Sequence, residues 1–142
     1  MKQINEMDFA TKQIHGGKEP EVFGALNPPI YMTSTFRDPD GSGRFKYSRT
    51  GNPSVAYVEN KVALLENGEA GLALASGTAA ISAALWTALN AGEEVVCSDT
   101  VYGCTMTLLQ DHMARFGVKT TFVDMANLEN LEKALTEKTT VV

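Results

Sequence analysis

Leu72-Ala73-Leu74-Ala75-Ser76-Gly77-Thr78-Ala79-Ala80 is an apolar run that meets a turn of small residues and continues into helix-forming alanines. The pattern predicts a strand over 70–75 that passes through Ser76-Gly77-Thr78 into a helix over 77–90, closed by Gly92. Such a junction suits an anion, a phosphate above all. The first N–H groups of a helix lack intrahelical partners, and a small turn lets a ligand reach the backbone. The same turn can also serve only to connect packed elements, so its company matters. Tyr47-Ser48-Arg49 lies upstream, and Val101-Tyr102-Gly103-Cys104-Thr105 follows the next predicted strand.

Regular patterning extends both ways from this junction. Before it, Asn52 is placed to cap a helix that has Pro53 at its first position, Val55, Val58, Val62 and Leu65 along one face, and Gly68 as its stop. After it come a strand over 94–98, a helix over 104–116 closed by Gly117, a strand over 118–123, and a helix over 127–136 with Leu128, Leu131 and Leu135 inward. Thr139-Thr140-Val141-Val142 reads as the start of another strand, so the sequence is expected to be a portion of a longer, truncated sheet. The alternation predicts an α/β class with a mostly parallel sheet covered by helices. Ligands on such sheets gather at the carboxyl ends of the strands, where Ser76-Gly77-Thr78 and the stretch from Asp99 to Cys104 are both expected.

Residues 1–52 differ in character. They hold four of the five prolines (Pro20, Pro28, Pro29 and Pro39) and show no sustained periodicity, which predicts an extended N-terminal arm followed by an α/β domain over 53–142. Asp38-Pro39-Asp40-Gly41-Ser42-Gly43 reads as a mobile turn. Ile30, Tyr31 and Phe36 need cover, which a neighbouring subunit would supply; a disordered tail is the other reading.

The chain has 142 residues, 44% of them hydrophobic, enough for one domain core. Twelve basic against 17 acidic residues give a net charge of −5, which argues against nucleic acid or an anionic membrane surface as a partner. Two cysteines, Cys97 and Cys104, without the dense spacing of a secreted scaffold, point to a reducing cytoplasm. No stretch approaches the apolar length of a membrane span. Glu93 and Glu94 should face opposite sides of a strand and so form no catalytic pair. His15 and His112 stand in unrelated contexts and predict no metal site. Cys97 reads as a small buried hydrophobe. The plain readings of the remaining candidates are a salt-bridging Arg49, a packed Tyr47, a loop Tyr102, and a Cys104 whose thiol sits at a helix start.

One long combination of motifs goes further. Phe9-Ala10-Thr11 with Ile14-His15-Gly16-Gly17, Pro28-Pro29-Ile30-Tyr31 with Thr33-Ser34-Thr35-Phe36, and Tyr47-Ser48-Arg49-Thr50-Gly51-Asn52-Pro53 resemble, in this order, the pyridoxal-phosphate enzymes of cysteine and methionine metabolism. Leu64 and Glu66 with Gly68-Glu69-Ala70, and Ala75-Ser76-Gly77-Thr78-Ala79-Ala80, continue the resemblance. Tyr102-Gly103-Cys104-Thr105 looks most like the methionine γ-lyase branch, because many relatives carry glycine at the position of Cys104. Two departures stand out: Met32 occupies a position often held by glutamine, and the loop between Phe36 and Tyr47 is shorter than in most relatives.

The resemblance implies the first part of an aspartate aminotransferase-like, fold type I, cofactor-binding domain. It implies pyridoxal 5′-phosphate as cofactor, with Tyr47, Arg49, Ser76, Gly77, Thr78 and Tyr102 as its binding residues, Tyr47 and Arg49 reaching the cofactor of a neighbouring subunit. Tyr102 would stack on the pyridine ring and act as the catalytic acid towards a departing thiolate, its phenol pKa lowered by the cofactor and nearby cations, and Cys104 would line the substrate pocket. The implied reaction is γ-elimination of L-methionine or a related sulfur amino acid by a cytoplasmic homo-oligomer, a dimer of dimers. Alternatives are cystathionine γ-lyase or γ-synthase chemistry and O-acylhomoserine sulfhydrylation. A different class of reading is a non-catalytic assembly piece. The resemblance places the lysine that holds the cofactor, the acid opposite its ring nitrogen and the arginine for the substrate carboxylate downstream of residue 142.

Overall fold

The structure, a computed structural model, describes residues 4–17, 23–25, 27–37, 41 and 43–142. Contacts divide the chain into two compact units, Met1–Ala73 and Leu74–Val142.

The first unit is built on two helices, α1 (Phe9–His15) and α2 (Pro53–Leu65). Helix α1 was not expected in an extended arm. It forms because the Asp8 side chain accepts from the Thr11 N–H at 2.9 Å, satisfying one of the orphan amides of a short helix. The same bond holds the Asp8 carboxyl below its ordinary pKa. Helix α2 begins as its sequence predicts, with Asn52 Oδ1 accepting from Ser54 N and Pro53 in the first turn. Its end is subtler: Asn67 takes the left-handed conformation (φ 54°), and the Gly68 N–H donates to Ala63 O at 2.8 Å. This is a helix stop in which asparagine, not Gly68, holds the left-handed position. Because α2 packs against α1, with Lys61 Nζ donating to Gln13 O at 2.7 Å, it belongs to the unit of the arm. The division at 73/74 therefore falls beyond the expected junction at 52/53. Val55, Val58 and Val62, which share one face with Leu65, are exposed, and Ala63 is the buried residue of α2.

Around this pair, an antiparallel bridge joins Thr35 to Tyr47, flanked by Phe36 N to Lys46 O and Ser48 N to Ser34 O. Tyr31, Phe36 and Phe45 pack ring against ring at centroid distances of 6.5 and 6.0 Å, so two of the three large apolar residues of the arm's centre cover each other, while Ile30 stays exposed. The turn expected over 38–43 lies outside the described residues except for Gly41 and Gly43.

The second unit carries the sheet. Strands β1 (Glu94–Ser98), β2 (Lys119–Val123) and β3 (Thr139–Val141) are all parallel, in the order β2-β1-β3. Central β1 buries both Val95 and Val96, as a parallel strand covered on two faces must. Val95 packs with Leu89, Leu108, Leu109, Met113 and Val118 in the core, and Leu85, Cys97, Phe122 and Val141 close around it. Helix α3 (Gly77–Ala88) and helix α5 (Leu128–Ala134) complete the unit.

Two expectations are corrected here. No strand forms over 70–75 among the described residues: the stretch has no ladder partner, Leu72 and Leu74 are exposed, and Ala73 N donates instead to Glu59 Oε1 at 2.8 Å. The single helix expected over 104–116 is three segments: α4 (Gly103–Thr107), a π-turn over Leu108–His112 and a 3₁₀ turn over Met113–Phe116. The wider π winding lets Leu108, Leu109 and Met113 all reach the core, which uniform α geometry would spread around the axis. Gly117 ends this run in the left-handed region at φ 85°, as expected. In α5 the cap is Asn127, but Leu128 and Leu135 are exposed and Leu131 is half-buried, so the predicted inward face is mostly uncovered.

Candidate active site

In the first unit, the chain folds back at Tyr47. The amides of Thr50 and Gly51 and the Thr50 hydroxyl all donate to Tyr47 O, at 2.9, 3.1 and 2.9 Å. This tight turn brings the Arg49 guanidinium over the Tyr47 ring, 4.8 Å from its centroid, so that a fixed cation and a phenol are presented together at the surface. Asn52 anchors the turn from beneath. Its Nδ2 donates to Tyr31 O at 3.0 Å and to Ser48 Oγ at 2.9 Å, while Oδ1 caps α2. Ser48 in turn donates its hydroxyl proton to Thr33 O, and Tyr31 N donates to Ser54 Oγ at 2.9 Å. Asn52 is buried, a polar side chain with every bond made. In the sequence Asn52 shows only as a helix cap; its bond to Ser48, four residues back, closes the turn that carries Arg49.

In the second unit, Ser76 caps α3 with its Oγ accepting from Ala79 N at 3.1 Å, and Ala80 N donates to Ser76 O at 3.0 Å. The Gly77 and Thr78 amides precede these bonds and have no intrahelical partner. Nothing lies within 4 Å of where a Cβ of Gly77 would stand, so open space faces the amides. The Ser76 oxygen is engaged by the cap, and its hydroxyl proton is left to donate outward.

Tyr102 and Cys104 follow β1 on the rim of carboxyl ends. Asp99 N, one residue past β1, donates to Val123 O at the end of β2, and Tyr102 is the residue that opens α4, its carbonyl accepting from Thr105 N and Met106 N. Helices α3 and α4 pack beside each other. Tyr102 is 68% exposed and its side chain makes no capping bond to the helix it precedes. A hydrogen bond with the Cys104 side chain, and then the negative charge that sulfur can carry, push the phenol above its ordinary pKa. This is opposite to the lowering expected beside a cofactor and cations; it describes the chain's own residues. Burial pushes the Cys97 thiol up, in keeping with its packing against the core. Glu93 and Glu94 turn to different partners, Asn90 N and Lys119, and make no carboxylate pair.

These groups match what a phosphorylated aromatic cofactor needs: free helix amides for a phosphate, a guanidinium with a phenol beside it, and an exposed aromatic ring for a flat heterocycle. The model of the Cys/Met metabolism PLP-dependent enzymes matches residues 10–142. The chain belongs to that family. Among its relatives, the L-methionine gamma-lyase of Treponema denticola is 43% identical over 99% of this chain, and that of Pseudomonas putida is 47% identical over 94%. The crystal structure of cystathionine gamma-lyase from Lactobacillus plantarum, complexed with L-serine, superposes with a TM-score of 0.83 over 94% of this chain at 43% identity. The chain spans 38% of the length of the Treponema enzyme and 35% of that of the Lactobacillus chain. In this pyridoxal-phosphate-dependent family, the parallel sheet and the α3 junction described above supply a cofactor-binding α/β frame.

Proposed function

We propose that this chain is part of a cytoplasmic, homotetrameric lyase that cleaves L-methionine by γ-elimination, with water consumed, to 2-oxobutyrate, ammonia and methanethiol. The observation that carries the reading is Tyr102-Gly103-Cys104 at the mouth of the sheet, with Tyr102 exposed and Cys104 beside it. Bound pyridoxal phosphate supplies an electron sink for the carbanion formed at the substrate α-carbon. The Gly77 and Thr78 amides and the Ser76 hydroxyl hold its phosphate at the positive end of α3. Arg49 adds a two-pronged, charge-assisted clamp and Tyr47 a further donor, both serving the site of a neighbouring subunit. Tyr102 lies against the cofactor ring and gives its proton to the departing sulfur. Cys104 lines the space for the thioether end of the substrate.

A second reading, cystathionine γ-lyase chemistry, is supported by the likeness to the Lactobacillus structure. The native protein, supplied with pyridoxal phosphate, separates the two by the 2-oxobutyrate released from L-methionine and from L-cystathionine. Methionine as the better substrate supports the first reading, and release from cystathionine alone replaces it with the second. Release from neither, together with no cofactor adduct in the intact mass after borohydride reduction, leaves a non-catalytic assembly piece.

A further inference from the structure

The sequence contains a single Asn-Gly pair, Asn67-Gly68, and it forms the stop of α2. Both residues are exposed, and an open pocket of about 410 Å³ lined by Lys12, Asn60, Leu64, Asn67 and Glu69 brings water to the asparagine. Glycine at 68 leaves its amide nitrogen unshielded by any side chain. That nitrogen is also the one whose proton is donated to Ala63 O at 2.8 Å.

We infer that Asn67 is a site of spontaneous deamidation whose rate is set by the opening of the α2 cap. The Gly68 nitrogen bonds to Cγ of Asn67, the Cγ–Nδ2 bond breaks, and Nδ2 leaves as ammonia with the proton that the Gly68 nitrogen gives up. Water then opens the five-membered imide at either carbonyl, leaving aspartate or isoaspartate at 67. While the Gly68 N–H is held by Ala63 O, the nitrogen is not available, so attack waits for the last turn to fray. Each product works against the cap. A carboxylate at 67 joins Glu66 at the negative end of the helix dipole. Isoaspartate adds a methylene to the main chain and removes the left-handed residue on which the stop depends.

The test incubates the native protein beside a free peptide spanning residues 62–73 in mildly alkaline buffer and follows conversion by peptide mapping. Asn67 is expected to convert ahead of every other asparagine of residues 1–142. It should convert about tenfold or more slowly than in the peptide, with the gap closing in urea. Another of these asparagines converting first, or equal rates in protein and peptide, overturns the inference. Asn67→Gly, which keeps a residue suited to the left-handed position, should retain the melting temperature of fresh protein through ageing, whereas Asn67→Asp should lower it from the start. Ageing that lowers the melting temperature of Asn67→Gly as much as that of the unsubstituted protein also overturns it.

Discussion

Asn52 shows how much a single side chain settles. Its amide holds the helix start, the backbone of Tyr31 and the hydroxyl of Ser48 at once, and so fixes the turn that places Arg49 on Tyr47. Arg49 and Tyr47 stood out through the resemblance, since their residue types alone read as a salt-bridging arginine and a packed aromatic. The second role of Asn52 was not legible in the sequence, because one of its partners, Tyr31, lies 21 residues away and only folding brings them together. Arg49→Ala in the complete enzyme is expected to weaken cofactor retention by roughly ten- to a hundredfold, the loss of one or two charge-assisted bonds. The circular dichroism of the protein should not change. Dialysis followed by absorbance of the retained cofactor checks this, and equal retention removes Arg49 from the role.

At the scale of elements, the sequence located α2, α3, α5 and the three strands because caps and apolar runs are local signals. It missed α1, whose seven residues carry too little periodicity to stand out and which depends on one aspartate cap and on α2 beside it. It overread 70–75, since an apolar run states only that burial is wanted, and strand formation requires a partner. It also missed the π-turn, a product of core demand at Leu108, Leu109 and Met113 that no local pattern encodes. The Gly16-Gly17 pair that carried part of the resemblance gains a physical reason from the contact between helices. A Cβ at Gly16 would stand 2.6 Å from Lys12 O and collide with the Leu64 side chain. Gly16→Ala should therefore destabilise the first unit by about 1–3 kcal/mol, the usual penalty of overpacking. Limited proteolysis within residues 4–17 would report it as faster cleavage.

Over the whole molecule, the parallel sheet was readable from the alternation of strands and helices, and its strand order was not, because alternation does not say on which side a strand is added. The amino ends of all three strands meet at Glu94. Its carboxylate accepts from Thr136 Oγ1 at 2.9 Å and pairs with Lys119 at 3.3 Å, and these bonds hold its pKa below the ordinary glutamate value. A group whose pKa is depressed by folding adds stability above its unfolded pKa and loses it as pH falls through the folded one. Glu94→Gln should thus lower the denaturation midpoint at neutral pH, and the difference from the unsubstituted protein should shrink as pH drops through and below the ordinary glutamate range. Denaturant titrations across that range check the sign; a difference that grows on acidification refutes it.

The order β2-β1-β3 also has a consequence in time. The strand at the centre of the sheet leaves the ribosome before either of its neighbours, and its first register partner, Lys119 opposite Glu94, lies 25 residues later. Val95 and Val96, among the most deeply buried residues of the finished protein, are therefore made with both flanks open. Until β2 and β3 emerge, this short segment has neither of its two ladder partners to pair with, so the sheet closes only after the last of the three strands is made.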